Sequence, residues 1–163
     1  MRTLFVLSAV LALLAAPAFP AFAQDTLKIG APQPMTGPDA PFGDKFKKAY
    51  GLAIEEINAK GGINGKKLEV ILEDHQAKNA LAATVAEKLI TQAKVLVLTG
   101  GRASGQAVEI ASVAHRLKTP YVVDHPSADI ITAKGFEWVF RNNPTGSIYP
   151  QAFNKFISEV PGA

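Results

Sequence analysis

Apolar and polar positions along the chain alternate between two periods. Short apolar runs, several of them β-branched, at Leu27–Gly30, Leu68–Asp74, Val95–Leu98, Pro120–Val123 and Trp138–Phe140 predict five strands. Between them the apolar residues recur at steps of three and four. From Phe42 to Lys60 they fall at Phe42, Phe46, Ala49, Tyr50, Ala53, Ile54 and Ile57, which predicts one apolar helical face with Lys47, Lys48, Glu55 and Glu56 turned to water. A second helix is expected over Ala80–Ala93, with Leu81, Val85 and Leu89 a turn apart. A third runs from Ser104 to about Leu117, with Ala107, Ala111 and Ala114 inward. Ser127 is placed to cap a short helix ended by Gly135, and another helix begins at Ser147 and runs to Val160. Gly61-Gly62 closes the first helix and Asn64-Gly65 makes a tight turn. The unbroken run Val95–Leu98 reads as a strand buried on both faces.

The resulting β-α-β-α-β-α-β-α-β order specifies an α/β fold with a doubly wound parallel sheet. Arg141–Gly146 reads as a linker, and the helix after it opens a further unit of which only the start is present.

The first 23 residues follow a different logic. Arg2 precedes an apolar run from Leu4 to Ala16, broken only by Ser8. Pro17 and Pro20 interrupt it and Ala21-Phe22-Ala23 supplies a small-x-small cleavage pattern, so 1–23 is expected to be a cleavable export signal. Its apolar core is shorter than the roughly 20 residues a membrane span needs, and nothing later approaches that length. Removing it takes away one Arg and no acid, so the formal charge falls from +3 to +2. That charge is scattered and offers no stripe for nucleic acid. The chain has no Cys, which excludes disulfides, thiol nucleophiles and thiolate metal sites. Export and the absence of disulfides place the protein outside the cytoplasm, in a bacterial periplasm, stabilised by its core alone.

In an open parallel sheet a ligand binds beyond the carboxyl ends of the strands. Four loops leave those ends: Pro32–Phe42, Asp74–Asn79, Thr99–Ser104 and Asp124–Ser127. The glycines of Thr99–Gly105 let backbone approach a ligand, and Ser104 begins a helix whose free amides and dipole attract an anion. The same serine would serve equally as a simple helix cap. Sharper motifs fail. Gly61–Lys66 is one residue short of a phosphate loop, with Lys67 where a hydroxyl is required. The first strand leads into Ala31-Pro32-Gln33-Pro34 instead of spaced glycines, and Gly101 lies three residues before Ser104, which excludes a hydrolase elbow. His75, His115 and His125 form no ligand pair, so no metal or other cofactor is expected. His115, beside Arg116 on a helix, is expected to face solvent, and His125 lies at the binding edge. Asp44, Glu73, Asp74 and Asp124 are available as acid–base partners, but residues of this type at strand ends are commonly structural.

Met35-Thr36-Gly37-Pro38, Phe42-Gly43-Asp44 and Ile57-Asn58-Ala59-Lys60-Gly61-Gly62-Ile63-Asn64-Gly65-Lys66 resemble the opening of periplasmic leucine/isoleucine/valine-type solute-binding proteins, the receptors of ABC importers. The resemblance continues through Glu73-Asp74, the loop to Ser104, and Phe140-Arg141 to Gly146. It implies a type I periplasmic-binding-protein lobe over 24–140, with the hinge and the start of a second lobe over 141–163. It also implies a monomer that closes on a small solute and presents it to a membrane permease, with no catalytic residue. By the same resemblance Arg102, Ala103 and Ser104, together with His125, Pro126 and Ser127, hold the solute, and Phe42 is an aromatic wall. Arg102 and His125-Pro126 depart from the small or apolar residues of branched-chain amino-acid binders. A cation there favours an acid lacking an ammonium group, whereas an Arg102 pointing to solvent would leave selectivity unchanged. The competing readings are an exported enzyme on the same fold, with Asp124 or His125 as base, and the sensor domain of a signalling receptor.

Overall fold

The computed structural model describes residues 26–160, so the expected export signal lies outside the described residues. The elements follow the order read from the sequence: β1 (Leu27–Gln33), α1 (Ala40–Ala59), β2 (Leu68–Asp74), α2 (Asn79–Thr91), β3 (Val97–Thr99), α3 (Ser104–Arg116), β4 (Tyr121–Val123), α4 (Ile130–Ala133), β5 (Val139–Arg141) and α5 (Ile148–Glu159). All five strands pair in parallel in the order β2-β1-β3-β4-β5. The sequence therefore winds outward from β1 in both directions, which puts the switch point between β1 and β3.

β1 runs three residues further than expected, through Pro32. Pro32 turns its carbonyl to the amide of Gly101, at 2.9 Å. Its missing N–H faces the same side, where β3 has already bent into a glycine loop, so no ladder bond is lost. The longer strand pairs with β2 over its whole length, Leu27 with Leu68 through Gln33 with Asp74.

The two faces of the sheet are unequally covered. α2 and α3 pack together on one face, burying Ala82, Ala86, Leu89, Ala107, Ile110, Ala111 and Ala114 against Leu98, Tyr121 and Val123. The small residues let helix and sheet approach closely, and this layer is the core. The other face carries α1. Between α1 and the sheet runs an apolar cleft of about 270 Å³, lined by Ile29, Ile54, Ile57, Val70, Val97 and Val122 among others. Ala53, expected on the packed face of α1, lines this cleft and is exposed, and Ala49 is exposed as well. So is Leu96, at 58 %, which corrects the expectation that Val95–Leu98 is buried on both sides. α5 leaves Ile148, Tyr149, Phe153 and Phe156 exposed.

Two side-chain expectations fail. Ser127 does not cap α4, because the residue at the cap position is Asp129, two residues on. His115 is half-buried rather than solvent-facing: its ring stacks on Phe136 at 4.6 Å and its Nδ1 is enclosed.

Candidate functional site

The loops after β3 and β4 lie side by side at the carboxyl edge of the sheet. Arg102, Ala103 and Ser104 from the first, with His125, Pro126 and Ser127 from the second, line one pocket of about 210 Å³. Phe42 does not line it but joins through Arg102, whose guanidinium carbon sits 3.9 Å from the centroid of the Phe42 ring. The apolar cleft under α1 is larger, but its lining has no charged group to orient a polar ligand. The smaller pocket at the strand ends is the chemically furnished one.

Glycine is required where β3 leaves the sheet. Gly100 has φ +96°, and a Cβ there would stand 2.7 Å from the carbonyl oxygen of Pro32. Gly43 plays a similar part under Phe42, since a Cβ would stand 2.3 Å from the Pro34 carbonyl. These close approaches bring the start of α1 and the β3 loop against the end of β1. Phe42 and Arg102 meet for that reason.

The amides of the glycine loop are only partly free. That of Gly101 is turned inward to Pro32, and that of Ala103 donates to Gln106 Oε1 at 2.8 Å. Ala103 holds the cap position of α3 and has no side-chain oxygen for the first-turn amides of Ser104 and Gly105. Ser104 is the first helical residue and does not cap. Its Oγ accepts the amide of Ala128 at 3.3 Å, bridging the two loops. The hydroxyl hydrogen of Ser104 is left to donate.

The second loop is held from three sides. Arg141 donates Nη1 to Pro126 O and Nη2 to Ala128 O, and Asn143 Nδ2 donates to His125 O and Pro126 O. Gly146 donates its amide to Ser127 O at 2.6 Å. At the loop's start Asp124 Oδ2 accepts the Tyr50 hydroxyl at 2.6 Å, and Gln33 Nε2 donates to the same phenol oxygen at 3.1 Å. Burial first, then the charge of Asp124 and the hydrogen bond to it, push the Tyr50 phenol well above its ordinary range. The ring of His125 stands edge-on to Phe46 at 5.7 Å.

Glu73 and Asp74, also singled out in the sequence, hold the framework together, and Asp44 is exposed on α1. Glu73 pairs with Lys88 at 2.7 Å. Asp74 accepts the Met35, Thr36 and Gln76 amides and the Thr36 hydroxyl. Burial opposes its charged form, yet the Thr36 hydroxyl and the three amides together hold its carboxyl below the usual range. His75 is fully buried and its Nδ1 accepts the Ala77 amide. Among the described residues no three His, Cys, Asp or Glu side chains gather as metal ligands. Tyr50, Gln33, Arg141 and Asn143 were not expected to shape the site. The polar run Arg141-Asn142-Asn143 directly after a strand was the available signal.

Residues 26–163 match the periplasmic binding protein family. A Leu/Ile/Val-binding protein homolog of Brucella abortus is 37 % identical over 149 residues, 91 % of this chain and 36 % of its own. The substrate-binding protein of a branched-chain amino acid transporter from Streptococcus pneumoniae, solved with isoleucine, superposes with a TM-score of 0.74. It is 32 % identical, over 83 % of this chain and 38 % of its own. An ABC-transporter solute-binding protein from Rhodopseudomonas palustris, solved with 3,4-dihydroxybenzoic acid, gives a TM-score of 0.67 and 32 % identity, over 74 % and 32 %. The chain spans about a third of the length of these relatives. In its sequence match and in the parallel sheet that carries the two loops, the chain belongs to the periplasmic binding protein family.

Proposed function

We propose that this chain forms the solute-capturing first lobe of an extracytoplasmic receptor, which takes up an amino acid or related small carboxylate and hands it to the permease of an ABC importer. The observation that carries the reading is the convergence of residues 102–104 and 125–127 on one pocket at the carboxyl edge of a parallel sheet. Hydroxyl and amide donors and one guanidinium converge there, which suits a carboxylate. The wall formed by the second loop is bonded to the linker through Arg141, Asn143 and Gly146. A second lobe following that linker completes the site when the hinge closes, and the solute draws the population toward the closed form by contacting both halves. Capture and release need no catalytic group, and the receptor works in the periplasm as a monomer. The relatives support this reading: one is a Leu/Ile/Val-binding protein homolog, and two are transporter binding proteins solved with an amino acid and with an aromatic acid.

A thermal-shift screen of the purified full-length protein against amino acids and aromatic and aliphatic acids tests it. Stabilisation by at least one of them, with the ligand recovered unaltered after incubation, is the expected result. No shift across the panel, or chemical conversion of the ligand, refutes it.

A further inference from the structure

We propose that the pocket selects small carboxylates carrying no α-ammonium group, and that Arg102, held on the ring of Phe42, sets this preference. The inference rests on the receptor reading above and narrows it. A guanidinium 3.9 Å from a ring centroid is held by stacking and by the ring's quadrupole, so Arg102 stands at the pocket instead of trailing into water. Its Nε is enclosed without a partner, and among the described residues no carboxylate pairs with it. Lys45 adds a second cation 5.6 Å from the same ring. An uncompensated, partly desolvated guanidinium beside the Ser104 and Ser127 hydroxyls is a strong partner for an anion.

An ammonium group needs the opposite: acceptors. No acid lines the pocket. Asp124 does not line the pocket; one of its oxygens accepts the Tyr50 hydroxyl and the other is buried without a partner. Asp129 accepts the Ser147 amide, and Asp44 projects from the side of α1 away from Phe42. The backbone carbonyls of the second loop are occupied too. His125, Pro126, Ser127 and Ala128 all accept from Asn143, Arg141 or Gly146, and Gly100 O accepts the Tyr121 hydroxyl. On this lobe the charged group that lines the pocket is a cation, so a zwitterion would bring its positive end to a cationic rim, whereas a simple carboxylate meets only attraction there.

Matched pairs that differ only in the ammonium group decide the matter. Titration calorimetry on the full-length protein would compare L-leucine with 4-methylpentanoate and L-phenylalanine with 3-phenylpropanoate, with benzoate as a rigid aromatic acid. The two pairs separate an aliphatic from an aromatic cargo. The expected result is that the deaminated acid of at least one pair binds at least tenfold tighter than its amino acid. Arg102→Gln brings that ratio close to one, and Phe42→Leu, which keeps the charge but removes its seat, lowers it while Phe42→Tyr preserves it. A preference below tenfold in both pairs, or a ratio unmoved by Arg102→Gln, overturns the proposal and leaves the receptor reading standing. Failure of every probe overturns this proposal, and the receptor reading falls with it only where the wider thermal-shift panel is also silent.

Discussion

The Tyr50 hydroxyl donates to Asp124 Oδ2 across 2.6 Å, joining the middle of α1 to the residue that follows β4, 74 positions later in the chain. With the Gln33 bond to the same phenol, and the two bonds that Asn58 makes to the Leu68 backbone further along the helix, it ties α1 down over the apolar cleft. Tyr50→Phe leaves the Asp124 carboxylate under-satisfied and is expected to cost about 1 to 3 kcal/mol, measured by urea denaturation. An unchanged midpoint would mean that water replaces the phenol without loss.

The same residue predicts an alkaline limit. The Tyr50 and Tyr121 phenols are both raised in the folded state, chiefly by burial, so the folded protein holds their protons more tightly than the unfolded chain does. Their contribution is fully present below the ordinary tyrosine value of about 10 and is lost as pH climbs beyond it. Melting temperature should hold steady to about pH 9 and then fall, and Tyr50→Phe should make that fall shallower.

Asp74 sets the acid limit. Its folded value is depressed, so its contribution is present above the unfolded value of about 4 and is lost as pH falls through the folded one. Asp74→Asn is expected to destabilise by about 1 kcal/mol at pH 7, through weaker bonds to the Met35 and Thr36 amides. The gap from wild type should narrow below about pH 4 in an acid titration followed by circular dichroism.

Gly100→Ala forces a side chain into a left-handed backbone and against the Pro32 carbonyl. A loss of about 2 to 4 kcal/mol is expected, since strain and overpacking add. Denaturant melts should show it, and a loss below 1 kcal/mol would mean that the β3 loop can rearrange freely.

Ser104→Ala separates support from recognition. The 3.3 Å bond from Ala128 is long, so stability should drop by less than about 1 kcal/mol. Solute affinity should weaken by about 1 to 3 kcal/mol, because the donated hydroxyl hydrogen goes with it. Calorimetry paired with a thermal melt reads both, and equal affinity removes Ser104 from the site.

The order of elements was legible because each apolar run is bounded by glycine, proline or a polar turn; β2 runs from Leu68 to Asp74 in both readings. Turns were readable for the same local reason: Asn64 and Gly65 both have positive φ beneath a short antiparallel bridge. What failed depended on distant partners. Pro32 extends β1 because of where Gly101 lies, Leu96 is exposed because one sheet face is thinly covered, and His115 turns inward to meet Phe136. At the site, topology alone brought the β3 and β4 loops to one edge. The contact of Arg102 with Phe42, sixty positions apart, follows from glycine clearances that no local pattern encodes.

The bond from Gly146 to Ser127 carries a mechanical consequence. At 2.6 Å, and flanked by the Arg141 and Asn143 bonds, it leaves almost no slack between the linker and the pocket wall. A pull on the chain beyond Gly146 therefore bears on the Ser127 carbonyl at the pocket wall as well as on the sheet edge from which the linker leaves.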